Sequence, residues 1–495
     1  MKRRNNMIRI FTMTVSSLLL MASCKESYPG VEFQPNPDEI PSNSEDLSVE
    51  KTPIKLYTND PGFFSLAAGT RGTGAFDPDD NPKKYESSVF HVFAFRVGTG
   101  EDGTGGQDPL TFPVNLQSSA YRSDVSASQR DTANTSCLLD GPNYYAGMPY
   151  RFMPDSVVAN LGGLVPLDKD GKNDPNAEIY YSGTYQKVGY TFYGYHIDDF
   201  EPTVANTHRT DSEIYYDLDL DGYRDIMLGY ADSLKAEDLE KKGTYGDCNL
   251  TDEEKTTILG MYGGYSAFAG HRNVHPVLKL KHQLARFKFI AYPGDESAGN
   301  VKIKGISIMA PSKAKMVVAG RKHGHCSFEP YETFNGESTI KEFKLSEQPA
   351  EGGTYPGELR DTGYVIPWPE GKTKEDLPVS KRPTTTIGSS LLVAPAKSYE
   401  VWLYYAFARK DANGNDVEDK FKAVYTITPP NDGISVDPVK GKIFKPGVLY
   451  NIKIAVYGLQ KIQMSATVNG WIAKDENGND LEINIDPDDT EYKEW

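Results

Sequence analysis

Leu278-Lys279-Leu280-Lys281-His282-Gln283-Leu284-Ala285-Arg286-Phe287-Lys288-Phe289 alternates apolar with polar residues, the period of a β-strand with one face on a core and one toward water. The apolar phase is even up to Leu284 and odd from Phe287. A period of two cannot change phase inside a regular strand, so a bulge or a single helical turn is expected between them. Val301-Lys302-Ile303 and Ile306-Ser307-Ile308 show the same change around Gly305.

Further strands lie to either side. Tyr450, Ile452, Ile454 and Val456 share one face, and after Gly458 so do Ile462, Met464, Ala466 and Val468, which predicts two half-buried antiparallel strands. Val401 to Phe407 and Lys422 to Ile427 read as strands separated by the turn composition Asp411-Ala412-Asn413-Gly414-Asn415-Asp416. Val89 to Val97 is apolar on both faces and predicts a central strand. Helix signals are short: Ser233 to Lys242, and Thr251 to Met261 opening with a Thr251/Glu254 capping-box spacing. Gly263, Gly264 and Gly270 place a domain boundary near residues 262–276. With 31 tyrosines, 45 glycines and 32 prolines, the chain is expected to be mainly β with many turns.

The amino terminus carries its own signal. Lys2, Arg3, Arg4 and Arg9 precede an apolar run, Ile10 to Met21, that ends at Ala22-Ser23-Cys24, the order of a secretory signal peptide. Tyr28 to Lys51 is a polar spacer with four prolines, suited to a tether. Pro53-Ile54-Lys55-Leu56-Tyr57 then predicts a short strand, followed by the breaker-rich Asn59-Asp60-Pro61-Gly62 and Gly69-Thr70-Arg71-Gly72-Thr73-Gly74. Arg71 is the only basic residue between Lys55 and Lys83, in a glycine-flanked segment open to proteolysis; an ordinary loop arginine is the other reading. The acidic last 20 residues are expected to be partly mobile.

Composition narrows the function. A formal charge of −16 and a pI near 5.1 argue against nucleic acid and against electrostatic docking on anionic lipid. After Cys24 no stretch reaches the length of a spanning helix, and with Cys24 set aside only Cys137, Cys248 and Cys326 remain, enough for at most one internal disulfide. The sharpest metal candidate is Asp217-Leu218-Asp219-Leu220-Asp221-Gly222-Tyr223-Arg224-Asp225, whose Asp217, Asp219, Asp221 and Asp225 match the front of a calcium loop. Leu228 stands where the bidentate glutamate belongs, and the alternating Leu218 and Leu220 favour an acidic hairpin instead. His323-Gly324-His325-Cys326 lacks a second cluster to complete a soft-metal site. Gly98-Thr99-Gly100-Glu101-Asp102-Gly103 has dinucleotide-fingerprint spacing but no helix signal after it, and Gly371-Lys372-Thr373 lacks the earlier glycine of a phosphate loop. Tyr180, Tyr181, Tyr190, Tyr193 and Tyr195 could form a glycan platform, though cross-strand packing is the commoner use of such residues. No catalytic motif and no cofactor signature is present, so no enzymatic activity is expected.

Several stretches together resemble the fimbrillins of Bacteroidales, the subunits of type V pili, which include the major and Mfa-like fimbrillins. The matching pieces are Ala22-Ser23-Cys24, similar to a bacterial lipobox; Thr70-Arg71-Gly72 after a first strand; Asp225-Ile226-Met227; Leu280 to Phe287; and Pro446-Gly447 followed by Tyr450 to Trp471. Lys25-Glu26-Ser27 also looks like the tag that sends lipoproteins of Bacteroidetes to the cell surface. The resemblance implies two transthyretin-like Greek-key β-sandwich domains, at residues 53–270 and 271–495, after a signal peptide (1–23) and a lipidated tether (24–52). It implies lipidation of Cys24, an outer-membrane precursor, and cleavage between Arg71 and Gly72 by an arginine-specific protease that removes the first strand. Other fimbrillin subunits would then be the partners, joined by strand exchange with a donor in the acidic stretch after Trp471, in a fimbria supporting adhesion. The alternative is a surface lipoprotein that binds glycans or host ligands and never polymerises.

Overall fold

The protein is described from a computed structural model covering residues 52–58, 89–97, 121–122, 137–139, 146–158, 161–167, 179–181, 189–198, 200, 202, 206–210, 213–240, 249–261, 264–320, 326–347, 359–429, 443–457, 462–470, 481–484 and 491–494. Strands are numbered in chain order. The first sheet holds β1 (Leu56–Thr58), β2 (Val89–Arg96), β4 (Cys137–Leu139), β5 (Met148–Val158), β6 (Leu161–Pro166), β8 (Tyr190–Ile197), β11 (Ile226–Tyr230), β12 (Val277–Leu278) and β13 (Lys281–His282), in the order β12-β1-β6-β5-β2-β8-β11-β13 with β4 beside β2. β3 (Tyr121–Arg122) and β7 (Ile179–Tyr180) form a separate pair.

This sheet closes on itself. The segment 276–283 pairs in parallel with β1 through Val277 and Leu278, and antiparallel with β11 through Lys281 and His282. Leu278 also bridges Ala231, and the Lys279 and Gln283 amides donate to the Tyr230 and Ile226 carbonyls at 3.0 and 2.8 Å. Inside lies a core of Ile54, Leu56, Phe90, Val92, Phe192, Met227, Leu278 and Leu280. Short helices cap it: α1 (Ala236–Glu240), α2 (Asp252–Leu259) and α3 (Ala267–Gly270), contributing Leu239, Ile258, Ala267, Phe268 and Ala269. The predicted capping box is present, with Thr251 and Glu254 each accepting from the other's amide. Helix α3 has no periodic signal in its four residues, and its glycine end reads in the sequence only as boundary composition.

The other face of the same sheet is equally apolar, which is why Val89–Val97 lacks a polar side. Phe93, Phe95, Tyr193, Tyr195, Ile226 and Leu228 pack there against Ile214, Tyr216, Leu218, Met316 and Val318. Those partners come from a four-stranded sheet, β17-β16-β10-β9, built from β9 (Thr207–Arg209), β10 (Glu213–Asp219), β16 (Lys313–Gly320) and β17 (Ser327–Pro330). Strands from both halves of the chain therefore share one ladder, and β12 and β13, beyond residue 271, belong to the first sheet.

The second half is a sandwich. One sheet runs β22-β14-β25-β26-β27, from β14 (Ala285–Pro293), β22 (Thr385–Val393), β25 (Val448–Val456), β26 (Ile462–Gly470) and β27 (Leu481–Asn484). The other runs β20-β15-β23-β24-β28, from β15 (Val301–Pro311), β20 (Ile340–Lys344), β23 (Tyr399–Lys410), β24 (Asp416–Ile427) and β28 (Glu491–Glu494), with β21 (Tyr364–Val365) also beside β15. β18 (Thr333–Phe334) and β19 (Glu337–Ser338) form a small hairpin. Phe287, Phe289, Ile303, Ile308, Val401, Leu403, Ile452 and Ile454 fill the space between the two sheets.

One sequence expectation is corrected here. The phase change in 278–289 is neither a bulge nor a helical turn: Leu280 enters the first core, Leu284 the shared core, and Phe287 the sandwich core, because the chain leaves one sheet and joins another. Within the last 20 residues, β27 pairs with β26 and β28 with β24. The change at Gly305 is a bulge as read, with Ile303 opposite Tyr405 and Gly305 opposite Tyr404, leaving Lys304 unpaired in the ladder. The β25–β26 pair and the β23–β24 hairpin also stand where the alternation puts them.

Closure is sterically tight at Gly229, where a Cβ would lie 2.0 Å from the Lys279 carbonyl oxygen. We expect Gly229→Ala to destabilise the protein by about 3 kcal/mol, read as a lowered urea midpoint. An unchanged midpoint would contradict closure through 276–283.

Candidate functional site

The segment 52–58 alternates as a strand must. Thr52, Ile54, Leu56 and Thr58 are buried, while Lys55 is exposed and Pro53 and Tyr57 are half-buried. It is stitched on both sides. Leu56, Tyr57 and Thr58 oppose Leu164, Gly163 and Gly162 of β6, and Tyr57 and Thr58 oppose Val277 and Leu278 of β12. The Ile54 amide donates to the Ile179 carbonyl at 2.6 Å, the Tyr57 amide to Pro276 at 3.1 Å, and the Tyr181 amide to Thr52 at 3.0 Å. Ile54 and Leu56 are 5% and 1% exposed, so the first strand is a full member of the core rather than an edge. Its glycine neighbours on β6 leave room for the Tyr57 ring, which sits 6.0 Å from the ring of His275.

A buried ionic cluster pins the opposite end of the closing segment. The Asp225 carboxylate lies 2.6 Å from His282 Nδ1 and accepts from the Ile226 amide at 2.8 Å. The Asp225 amide donates to Asp198 at 3.1 Å, and Asp198 holds His196 Nε2 at 3.0 Å while His196 Nδ1 meets the Val89 carbonyl at 2.8 Å. Burial alone would push the Asp225 carboxyl up, but His282 outweighs it and holds the group below the usual carboxylate range. Burial likewise opposes the charge on His196, yet the bond to Asp198 raises its pKa above the ordinary value. His282 reads in the strand pattern as a hydrogen-bonded, partly buried residue; it is paired with Asp225 and fully buried. The His196/Asp198 spacing of two, which puts both on one face of a strand, is the signal by which the second pair could have been found.

The calcium candidate falls apart into separate partners. Asp217 binds His208 Nε2 at 2.9 Å and the Tyr331 hydroxyl at 3.0 Å, and Asp219 binds Lys313 at 2.6 Å. Asp221 accepts from the Tyr223 and Arg224 amides at 2.8 and 2.9 Å and caps the turn in which Gly222 has a φ of +89°. Among the described residues these acids form no group able to hold a metal ion. The favoured hairpin is corrected as well: β10 pairs with β9 and β16 while β11 pairs with β8 and β13, so the Asp-Gly turn carries the chain from one sheet to another. Tyr181, Tyr190, Tyr193 and Tyr195 are buried, so they pack rather than present a platform. Cys326 is free, with burial pushing its thiol up to about 11. Cys24, Arg71, Gly72, His323, His325 and Gly98–Gly103 lie outside the described residues.

Truncating His282 to alanine strands the Asp225 carboxylate, and we expect a loss of about 3 to 5 kcal/mol in urea unfolding at neutral pH. A carboxyl whose folded pKa is depressed stabilises above its unfolded value and loses that contribution as pH falls through the folded one. The gap between wild type and His282→Ala should therefore narrow in acid; a gap independent of pH would contradict the pairing. No protein-family model and no curated protein matches this chain. Solved structures similar to it include a candidate cell adhesion protein from Bacteroides uniformis, at 10% identity over 86% of this chain and 99% of that one with a TM-score of 0.37. The fimbrial anchor protein Mfa2 from Porphyromonas gingivalis is similar at 11% identity over 85% and 98%, TM-score 0.26, and the tip fimbrial protein Mfa3 of that organism at 9% over 84% and 99%, TM-score 0.26.

Proposed function

We propose that this chain is a precursor of a cell-surface fimbrial subunit, exported as a lipoprotein on Cys24 and assembled by strand exchange after proteolysis at Arg71. The observation that carries this reading is the seat of β1: an interior strand, bonded on both sides, whose segment enters the core through Thr52, Ile54, Leu56 and Thr58. Arg71 follows β1 in the chain and precedes β2, so a cut there severs the first strand from everything after it. Removing β1 opens a slot two strand spacings wide, roughly 10 Å, between β6 and residues 276–278. Its unpaired backbone groups and emptied apolar positions are costly until another strand fills them. Main-chain hydrogen bonds then supply affinity and the alternating positions supply register.

A second copy can offer such a strand. Leu481-Glu482-Ile483-Asn484-Ile485, in the acidic stretch after Trp471, alternates apolar and polar residues as β1 does. Its strand β27 and the later β28 are each four residues long and end their sheets, which favours their release from the parent fold. On this reading the chain has no catalytic role, the lipid leaves with residues 24–71, and adhesion is a property of the fibre.

Mass spectrometry and gel analysis of surface-extracted protein test the proposal together. The expected result is an N-terminus at Gly72 and a ladder of polymers. A monomeric protein that keeps its lipidated Cys24 would refute it.

A further inference from the structure

His275 stands beside the slot just described, and its chemistry is unlike that of the other buried histidines near it. His196 and His282 each face an aspartate. His275 is 6% exposed, its Nδ1 has no hydrogen-bond partner among the described residues, its ring lies 6.0 Å from that of Tyr57, and the charge of Lys55 also disfavours a proton on it, both residues being on the first-strand segment. The next residue, Pro276, accepts the Tyr57 amide, so the backbone that carries His275 is the backbone that holds β1. A proton on this imidazole would be a buried cation facing another cation, with no carboxylate from β1 to balance it.

We propose that His275 is an acid-sensitive latch on the first strand: its protonation expels β1 from the sheet and opens the slot to an incoming strand. The use of this latch in assembly rests on the strand-exchange reading above, whereas the opening itself does not. Burial, with Lys55 adding to it, pushes the His275 imidazole from its ordinary 6.5 down to about 4. A histidine whose folded pKa is depressed leaves stability intact above 6.5 and lowers it as pH falls from there toward 4, because the open state takes up the proton first. At pH 5 the open form therefore gains by up to roughly 30-fold over its population at neutral pH, ten per unit below 6.5. His91 on β2 is also held at about 4, by burial foremost, but it stacks on Tyr195 and lies near His196, away from β1.

Hydrogen-exchange protection of the amides in 52–58, measured on the unprocessed full chain at pH 7 and pH 5, tests the latch. Protection there should fall by roughly tenfold or more at pH 5, while β14 and β25 keep theirs, and His275→Gln or His275→Phe, which retain His91, should remove most of the fall. Wild-type protection that is equal at the two pH values overturns the proposal without any variant. So does a variant that folds and keeps the full pH dependence. A chain that opens at pH 5 but never polymerises after cleavage would refute strand exchange and leave the latch standing.

Discussion

One eight-residue segment, 276–283, has to satisfy the backbone of two strands at once. On one side it accepts from and pairs with β1, on the other it pairs with β11, and Leu278 bridges Ala231 while opposing Thr58. A sheet left open here would expose two edges and the inner core. Everything on the inner face depends on that closure, from Ile54 and Leu56 to the helices that cap the end. The site of interest is the seam rather than a cleft.

The seam is held by different physics at its two ends. Near β11 His282 and Asp225 form a buried pair, and the Ile226 amide supports the carboxylate. Near β1 the contacts are backbone bonds and apolar packing, with a buried imidazole beside Tyr57 and near Lys55. The first end costs much to break and the second less, so the seam is asymmetric in strength along its own length.

What could be read from the sequence was local. The Gly305 bulge, the Thr251/Glu254 capping box and the β23–β24 and β25–β26 pairs each depend on residues a few positions apart, and each pattern was sufficient. The change of phase in 278–289 is visible, but a bulge and a change of sheet leave the same trace, and only the identity of the core that receives each side chain separates them. The acidic run 217–225 failed for the same reason: His208, Lys313 and Tyr331, which neutralise or bond its carboxylates, come from outside the run. His275 gave no signal because its character comes from burial and from Tyr57 and Lys55, which are far from it in the chain.

The ladder between β10 and β16 joins residues 213–219 to 313–320, one from each half of the chain, through antiparallel pairs along seven positions of β10. A pull that separates the halves along these strands loads those bonds in shear, so they share the force and must fail together. A pull across the strands would peel them one at a time. The shared ladder thus gives the protein a direction in which it is strong, set by the course of the strands and independent of the seam at β1.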